Sequence, residues 1–338
     1  MKKLRLVSLT LVVILAIMAI PSSSASTAAI AEQQEKLAER QKKMEADRAK
    51  VLVTAAELGV DISELMCVFN LETDEMEVRT IDSIMTEAKA RNGGVLPDDG
   101  PIYPDGYETE VINPAVKSVS ISPLNIGVDN RTQVTNTTAW PYRAIVHLQA
   151  DFQLTSSQGT GFMLSNNKVV TAAHVVYSYA RREYCYSVTA VPGRNGSSSP
   201  YGSYTGVTIY IGSAFVISED PNYDYAVIEL NTNVNSSVGS LGISVLNDSG
   251  VLNSNPMISG YPLDKGNGTT QWQTTGSVHD VSPTRLFHSV YTTGGQSGAP
   301  IISVGGSVIG MHRGTYNSVL KDGTRINQTV YNIFMSLR

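Results

Sequence analysis

Two cysteines in 338 residues are too few for a disulfide scaffold or a four-thiolate zinc site. Basic residues are not in excess either, since 25 Lys and Arg stand against 30 Asp and Glu, so we expect no nucleic-acid partner. Only 16% of the residues are charged and 42% are hydrophobic, which excludes a disordered chain. Phosphate-loop, dinucleotide-binding and zinc-protease motifs are absent, so we expect neither a cofactor nor a catalytic metal.

The composition changes sharply along the chain. Residues 1–121 carry a net charge of −6 and contain 5 glycines, whereas residues 122–338 carry +1 and contain 23. All five histidines lie in the second part, and they are His147, His174, His279, His288 and His312. The two parts therefore have different functions, and the chemistry is expected in the second.

The first 28 residues have the order of a secretory signal peptide. Three basic residues occur within the first five positions, an apolar run follows over residues 6–20, and small residues fill positions 22–28. The alternative is a membrane anchor, but 15 residues fall short of the roughly 20 that span a bilayer. We therefore predict a secreted protein that is outside the membrane once residues 1–28 are removed.

Residues 29–121, called the leader below, read as a partly helical propeptide. Residues 30–60 are rich in good helix formers. One apolar residue recurs every seven positions, at Ile30, Leu37, Met44 and Val51. A single apolar residue per heptad is too little for a coiled coil, so we expect a solvated helix that docks one narrow stripe. Glycine and proline then concentrate in residues 92–114, which predicts a loose linker.

The sequence pattern of residues 122–338 predicts an all-β fold. Short β-rich runs alternate with Gly, Asn, Ser and Pro clusters, and no long amphipathic helix is evident, which favours a barrel or a sandwich. The predicted strands cover residues 144–148, 168–171, 207–211, 225–230, 256–259, 278–281, 300–304 and 307–311.

Three short motifs carry the chemistry. Thr-Ala-Ala-His ends at His174, Asp-Tyr-Ala-Val begins at Asp224, and Gly-Gly-Gln-Ser-Gly surrounds Ser297. A serine hydroxyl needs a base to become a nucleophile, and His174 oriented by Asp224 would supply it. Glycines beside Ser297 permit a tight turn whose Gly295 and Ser297 N–H groups would form an oxyanion hole. The chain order His, Asp, Ser is that of the chymotrypsin fold.

Six stretches resemble the secreted bacterial glutamyl endopeptidases, a branch of the chymotrypsin-like serine proteases. The similarity runs from about residue 126 to the C-terminus and includes residues 131–138, 141–147, 192–196, 222–225, 259–262 and 294–298. It implies two six-stranded antiparallel β-barrels with the active site in the cleft between them. Many relatives have half-cystines where this chain has Thr160 and Val175. Cys185 is then alone after the leader, either buried and inert or paired between molecules.

The resemblance also implies a specificity site. The residue six positions before the nucleophile is Tyr291 rather than Asp, which leaves no partner for Arg or Lys. The branch instead uses Thr292 and His312, a hydroxyl and an imidazole suited to a carboxylate. Arg313 is an alternative cation, but adjacent strand residues face opposite sides, so we prefer His312. We interpret His147, His279 and His288 as structural or surface residues.

The sequence thus predicts a zymogen of a serine endopeptidase that cleaves after Glu and, less well, after Asp. Maturation would cut between Lys117 and Ile126, and in the resembled family the new α-amino group lies near the pocket. The expected partners are protein or peptide substrates and the chain's own propeptide, with a monomer as the expected state. The alternatives are a different P1 preference, an inactive homologue that only binds, and a structural secreted protein whose leader coils with a partner.

Overall fold

The structure is a computed structural model that describes residues 27–97, 100–101 and 128–338. The predicted signal peptide up to residue 26 and the predicted cut between Lys117 and Ile126 lie outside the described residues. The chain divides into two compact units, Met1–Lys43 and Met44–Arg338. Among the described residues, no helix combines the length and the apolar character that a membrane crossing requires.

The α-helices of the described residues are α1 (Thr27–Leu58), α2 (Ile81–Arg91), α3 (Ala173–Val176), α4 (Ser213–Ser218), α5 (Asp248–Leu252) and α6 (Gln328–Leu337). Short 3-10 helices cover Ile62–Glu64, Tyr142–Ala144, Pro221–Tyr223 and Gly266–Gly268.

The strands before residue 240 are β1 (Leu65–Asn70), β2 (Glu75–Thr80), β3 (Thr132–Gln133), β4 (Ile145–Phe152), β5 (Thr155–Ser165), β6 (Lys168–Thr171), β7 (Tyr177–Ser178), β8 (Glu183–Tyr184), β9 (Ser187–Pro192), β10 (Tyr204–Gly212) and β11 (Ala226–Leu230). Those after it are β12 (Met257–Gly260), β13 (Trp272–Thr275), β14 (Val278–Val281), β15 (Arg285–His288), β16 (Pro300–Ile302), β17 (Val308–Thr315) and β18 (Lys321–Arg325).

Helix α1 confirms the predicted helical start of the leader. In the first unit most of the described side chains are exposed, and Lys36 pairs with Glu32 one turn earlier at 2.7 Å. In the second unit Met44 and Val51, two members of the seven-residue stripe, are buried. The helix ends before Gly59, whose φ of +67° suits a helix C-terminus.

The first barrel is closed and receives two strands from the leader. Strands β11, β6, β5, β4, β9 and β10 follow one another, and β10 returns to β11 to close the ring. Strand β9 pairs with only two residues of β10, which leaves the rest of that edge to β1. There Cys67 lies opposite Ile211 and Phe69 opposite Ile209, and β2 extends the sheet. The sequence did not predict this hairpin.

The second sheet curls into a half-barrel. Its eight strands run in the order β14, β15, β18, β17, β16, β12, β13 and β3, with antiparallel pairing throughout. Helix α6, which the sequence analysis missed, crosses back to the first barrel, where the Phe334 ring lies 5.8 Å from that of Tyr225. The predicted all-β fold behind a partly helical leader is confirmed. The second sheet curls without a closing pair among the described strands.

Candidate active site

His174 and Asp224 meet where two neighbouring strands of the first barrel end. His174 sits on the short helix α3 just after β6, and Asp224 directly precedes β11, which pairs with β6. The His174 Nδ1 atom lies 2.8 Å from Asp224 Oδ2, and the His174 backbone N–H donates to Oδ1 at 3.0 Å. Thr324 Oγ1 also donates to the Asp224 carbonyl at 3.0 Å. Asp224 therefore fixes both the ring and the backbone of His174.

The two side chains shift each other's pKa in opposite directions. Burial lowers the pKa of His174, but the Asp224 carboxylate more than offsets this, and the net pKa is raised above its ordinary value. Burial raises the pKa of Asp224, but the charge and hydrogen bonds of His174 and the charge of Arg313 bring the net pKa below its ordinary value. The Asp224 side chain is 1% exposed and that of His174 is 36% exposed, so the imidazole is partly open to solvent while its partner is not.

Ser297 lies on the loop between β15 and β16, at the junction of the two halves. The Ser297 carbonyl accepts a hydrogen bond from the Thr160 N–H of the first barrel at 2.8 Å. The next residue, Gly298, has a φ of +83° and donates to the His312 carbonyl at 2.7 Å. The Ser297 hydroxyl donates to the Arg313 carbonyl at 3.3 Å, and in the described residues no hydrogen bond joins it to His174.

The loop presents two backbone donors beside the serine. In the part of the chain described, the N–H groups of Gly295 and Ser297 donate to no backbone carbonyl. Thr160 Oγ1 donates to the Gly295 carbonyl at 2.8 Å and accepts the Tyr261 N–H at 3.0 Å. Thr160 thus supports this loop through two hydrogen bonds.

Thr292 and His312 are both buried, at 2% exposure each. Thr292 lies five residues before Ser297, and the His312 carbonyl accepts the Gly298 N–H of the serine loop. Among the described residues, Thr292 Oγ1 has no hydrogen-bond partner, which is unusual for a buried hydroxyl. His312 Nδ1 lies 3.3 Å from Nε2 of the buried His288. Burial lowers the pKa of His288 to about 3, and burial with the nearby His288 lowers the pKa of His312 well below its ordinary value. Both rings are therefore neutral near pH 7.

His288 is the residue that the sequence analysis undervalued. It is buried, as the structural interpretation allows, but it touches the predicted specificity histidine. Among the other two, His147 is buried against the Tyr261 ring, and His279 is exposed and bonded to Ser289 Oγ at 2.9 Å. No local motif marks His288, because its contact depends on β15 and β17 both pairing with β18.

Arg313 and His312 have different partners, since Arg313 contacts the Asp224 carboxylate and His312 contacts His288. The Arg313 Nε lies 3.1 Å from Asp224 Oδ2, and its Nη1 lies 3.4 Å from Asp322. Asp322 is fully buried and also pairs with Arg285. Arg313 therefore joins the Asp224 carboxylate to a second buried carboxylate, a contact that the sequence analysis did not foresee.

Tyr291 and the two cysteines are the remaining residues that the sequence analysis singled out. The Arg131 guanidinium lies 5.0 Å from the centre of the Tyr291 ring. Cys67 and Cys185 are both buried, and neither is in a disulfide. Within the described ranges no cluster of three His, Cys, Asp or Glu side chains is arranged to hold a metal ion.

Sequence comparisons place the chain among peptidases. The family described as "Trypsin-like peptidase domain" matches residues 159–311. The chain is 37% identical to the "Glutamyl endopeptidase" of Bacillus licheniformis over 235 residues, covering 67% of this chain and 72% of that protein. It is 38% identical over 216 residues to a Bacillus subtilis protein named "Extracellular metalloprotease", covering 61% of this chain and 67% of that one.

Solved structures agree with these relatives. A structure of a Glu endopeptidase in complex with MPD superposes with a TM-score of 0.58 at 29% identity, covering 62% of this chain and 97% of that chain. The protease Anisep from Arthrobacter nicotinovorans superposes with a TM-score of 0.51 at 20% identity and supports the fold alone.

Proposed function

This chain belongs to the glutamyl endopeptidase family of chymotrypsin-like serine peptidases, and on that basis we propose that His174, Asp224 and Ser297 are its catalytic triad. The observation that carries the assignment is the 2.8 Å contact between His174 Nδ1 and Asp224 Oδ2. In this arrangement Asp224 holds the proton on Nδ1 and leaves Nε2 free to act as the base.

The reaction follows from these positions. The Ser297 hydroxyl turns from the Arg313 carbonyl toward His174 Nε2, gives up its proton there, and attacks the scissile carbonyl carbon. The Gly295 and Ser297 N–H groups stabilise the resulting oxyanion. His174 then passes the proton to the leaving amine as the C–N bond breaks. Water, deprotonated by His174, hydrolyses the acyl-enzyme and restores the serine.

We assign the P1 site to Thr292 and His312, with Glu preferred over Asp. The unpartnered Thr292 hydroxyl can donate to a carboxylate, and the His312 ring can donate and gain a proton when a negative charge binds. The names of the relatives support Glu as the P1 residue. A different P1 preference is the alternative.

We propose that residues 1–28 direct secretion and that the leader is a propeptide removed between Lys117 and Ile126. The relative named extracellular and the signal-like N-terminus support secretion. The new α-amino group, largely cationic at pH 7, would balance the substrate carboxylate near the pocket. The leader could instead act by covering the cleft.

Mutation and labelling of Ser297 test the triad assignment. Ser297→Ala should lower kcat by about six orders of magnitude while the fold persists, and a fluorophosphonate should label Ser297 in the wild type only. A folded Ser297→Ala protein with full activity would exclude the triad, and an unlabelled, inactive wild type would favour a binding homologue.

Specificity is tested with matched peptides that carry Glu or Gln at P1. The wild type should prefer Glu strongly, and His312→Ala should lose that preference more than it loses kcat on a neutral substrate. An unchanged Glu-to-Gln ratio would remove His312 from the assignment. Processing of the full chain should raise kcat/KM for Glu peptides more than for Gln peptides if the ammonium acts, and equally for both if the leader only covers the cleft.

A further inference from the structure

Arg131 joins the start of the protease region to the serine loop, 162 residues further along the chain. Its side chain is fully buried just before β3. The guanidinium binds Asp129 through Nε and Nη2, at 2.9 Å each, and Asp264 through Nη1 and Nη2, at 2.9 and 2.6 Å. Nη1 also donates to Thr293 Oγ1 at 2.8 Å. We propose that Arg131 is a positioning residue that holds the serine loop in the conformation in which its Gly295 and Ser297 N–H groups form the oxyanion hole.

The bonds continue from Arg131 into the loop itself. Thr293 Oγ1 donates to Asp264 Oδ1 at 2.5 Å while it accepts from Arg131. The Thr293 N–H donates to Gln296 Oε1 at 3.0 Å, and that same oxygen lies 3.5 Å from Arg131 Nη1. Gln296 is fully buried and directly precedes Ser297. Both ends of the turn from Thr293 to Gln296 are thus tied to one guanidinium.

This turn contains the peptide that the reaction requires. Gly295 lies inside it with a φ of +91°, and the Gln296 N–H donates to the Thr293 carbonyl at 3.3 Å across it. Rotation of the peptide before Gly295 would turn its N–H away from the substrate oxygen. Because loss of one oxyanion donor lowers kcat by about 10²–10³, a loop without its anchor should lose a comparable factor.

The ion pairs of Arg131 with Asp129 and Asp264 persist near neutral pH, because both carboxylates stay charged there. Hydrogen bonds from Arg131 hold the pKa of Asp129 far below its usual range and lower the pKa of Asp264 to about 2. Lys265 Nζ lies 3.2 Å from Asp129 and adds a second positive charge. Two carboxylates thus face two cations, and the guanidinium fork reaches the carboxylates and the threonine together, which an ammonium does not.

The inference rests on the proposed function, because it assigns an orienting role at the proposed oxyanion hole. The test compares Arg131→Met, Arg131→Lys and Thr293→Val with Arg325→Met. Arg325 is a matched control, since it is also a buried arginine of the second half, bonded to Asp248 and to backbone carbonyls away from the serine loop. Each variant is made in the full chain, processed as the wild type is, and checked for folding by thermal unfolding.

Three quantities separate positioning from simple stability: kcat, KM, and the affinities for a peptide aldehyde and for the matching product peptide. The aldehyde carbon bonds to Ser297 Oγ and places its oxygen in the oxyanion hole, whereas the product makes no such bond. Arg131→Met should lower kcat and aldehyde affinity by about 10²-fold or more, with KM and product affinity within about threefold. Thr293→Val should do the same to a smaller extent, and Arg131→Lys should recover only part of kcat.

A folded Arg131→Met protein with wild-type kcat would overturn the inference, as would changes that match those of Arg325→Met. If Arg131→Met does not fold, Thr293→Val and Arg131→Lys provide the test. The inference then requires that kcat falls in these variants while product affinity stays within about threefold. Wild type and Ser297→Ala are assayed in parallel. An inactive wild type or an active Ser297→Ala would refute the proposed function instead, so the two failures are distinguishable.

Discussion

The closed first barrel and the curled second sheet bury different kinds of side chain. The first shares one continuous apolar core with the leader, which contributes Met66 and Phe69. The second has a small apolar cluster, which consists of Val251, Ile258, Val278, Leu286, Val290, Ala299, Ile301 and Ile309. Around it lie buried polar groups, among them His288, His312 and Asp322. The larger apolar cluster therefore centres on the first barrel, although Ile302, Val308 and Met311 of the second sheet also belong to it. The proposed specificity residues Thr292 and His312 lie in the second half.

Buried polar groups of the second half carry an energetic cost, because one without a partner costs about 1–3 kcal/mol. Asp322 pairs through Oδ2 with Arg285 and Arg313. Thr292 Oγ1 is an exception at the proposed specificity site. At the serine loop Thr160 of the first barrel bonds to the second half, since its N–H donates to the Ser297 carbonyl and its hydroxyl donates to the Gly295 carbonyl.

The largest effect is expected for Phe69→Ala, which tests how much the leader contributes to the apolar core of the first barrel. Phe69 is 3% exposed and stacks on Tyr184 at 4.2 Å between ring centres. Its removal should lower the free energy of unfolding by about 3–5 kcal/mol, measured by urea denaturation of the full chain with Ser297→Ala to prevent self-cleavage. Val53→Ala, at a position 53% exposed, should change it by less than about 0.5 kcal/mol. If the two changes had equal effects, the Phe69 side chain would not be part of the apolar core.

The junction between the halves is tested by Gly298→Ala. A Cβ at this position would collide with the Thr160 carbonyl and the Thr171 hydroxyl, and the φ of +83° is itself unfavourable for alanine. Strain and overpacking together should destabilise the protein by about 2–5 kcal/mol and abolish activity in assays at 25 °C. Gly314→Ala, where a Cβ meets nothing within 4 Å, serves as the control. Wild-type stability in Gly298→Ala would contradict the tight junction.

A smaller effect is expected for Thr160→Val. This change leaves the buried Gly295 carbonyl and Tyr261 N–H without their partner and should destabilise the protein by about 1–3 kcal/mol. Because Gly295 belongs to the proposed oxyanion hole, kcat should fall as well. Thr160→Ser keeps the hydroxyl and should restore both the unfolding midpoint and kcat. If Val and Ser behave alike, the hydroxyl does not support the loop.

The mildest change concerns the pH profile of Arg313→Gln. The folded-state pKa of His174 is raised, so kcat/KM, which needs the neutral imidazole, should rise through a pKa above about 6.5. The groups that act on this ring are Asp224 and Asp322, which raise its pKa, and Arg313, which lowers it. His312 is electrostatically coupled to His174 as well.

Removal of the Arg313 charge should therefore move the acid limb of kcat/KM to higher pH and leave the plateau above it nearly unchanged. Arg313→Lys keeps the charge and should keep the limb in place. A limb that stays fixed in Arg313→Gln, or moves to lower pH, would show that the Arg313 charge does not act on His174.

Local patterns in the sequence located the candidate triad residues and several strands. His174, Asp224 and Ser297 each lie within three residues of a strand end, and such boundaries are marked by neighbouring glycine, alanine and apolar residues. Strands β6 and β14 have the predicted bounds, whereas β17 continues to Thr315 because its partner β18 extends alongside it.

Contacts set by sheet order were not predictable in this way. The pairing of His288 with His312 depends on a third strand lying between theirs, and Arg131 reaches a loop far along the chain. The leader hairpin was missed because its turn lacks the Asn-Gly or Asp-Gly pair that marks tight hairpins, and Asp74 adopts the left-handed conformation there. Helix α6 is only 10 residues long and was too short for its periodicity to be noticed.

The pairing of β1 with β10 has a kinetic consequence. Residues 66–70 and 208–212 are bonded strand to strand, and a cut between Lys117 and Ile126 breaks none of these pairs. Such a cut turns a tethered strand, held at an effective concentration in the millimolar range, into a separate peptide that must find its edge by diffusion. Departure of the leader then depends on dilution as well as on proteolysis. A crowded environment would keep the two pieces together, and release into a large volume would separate them.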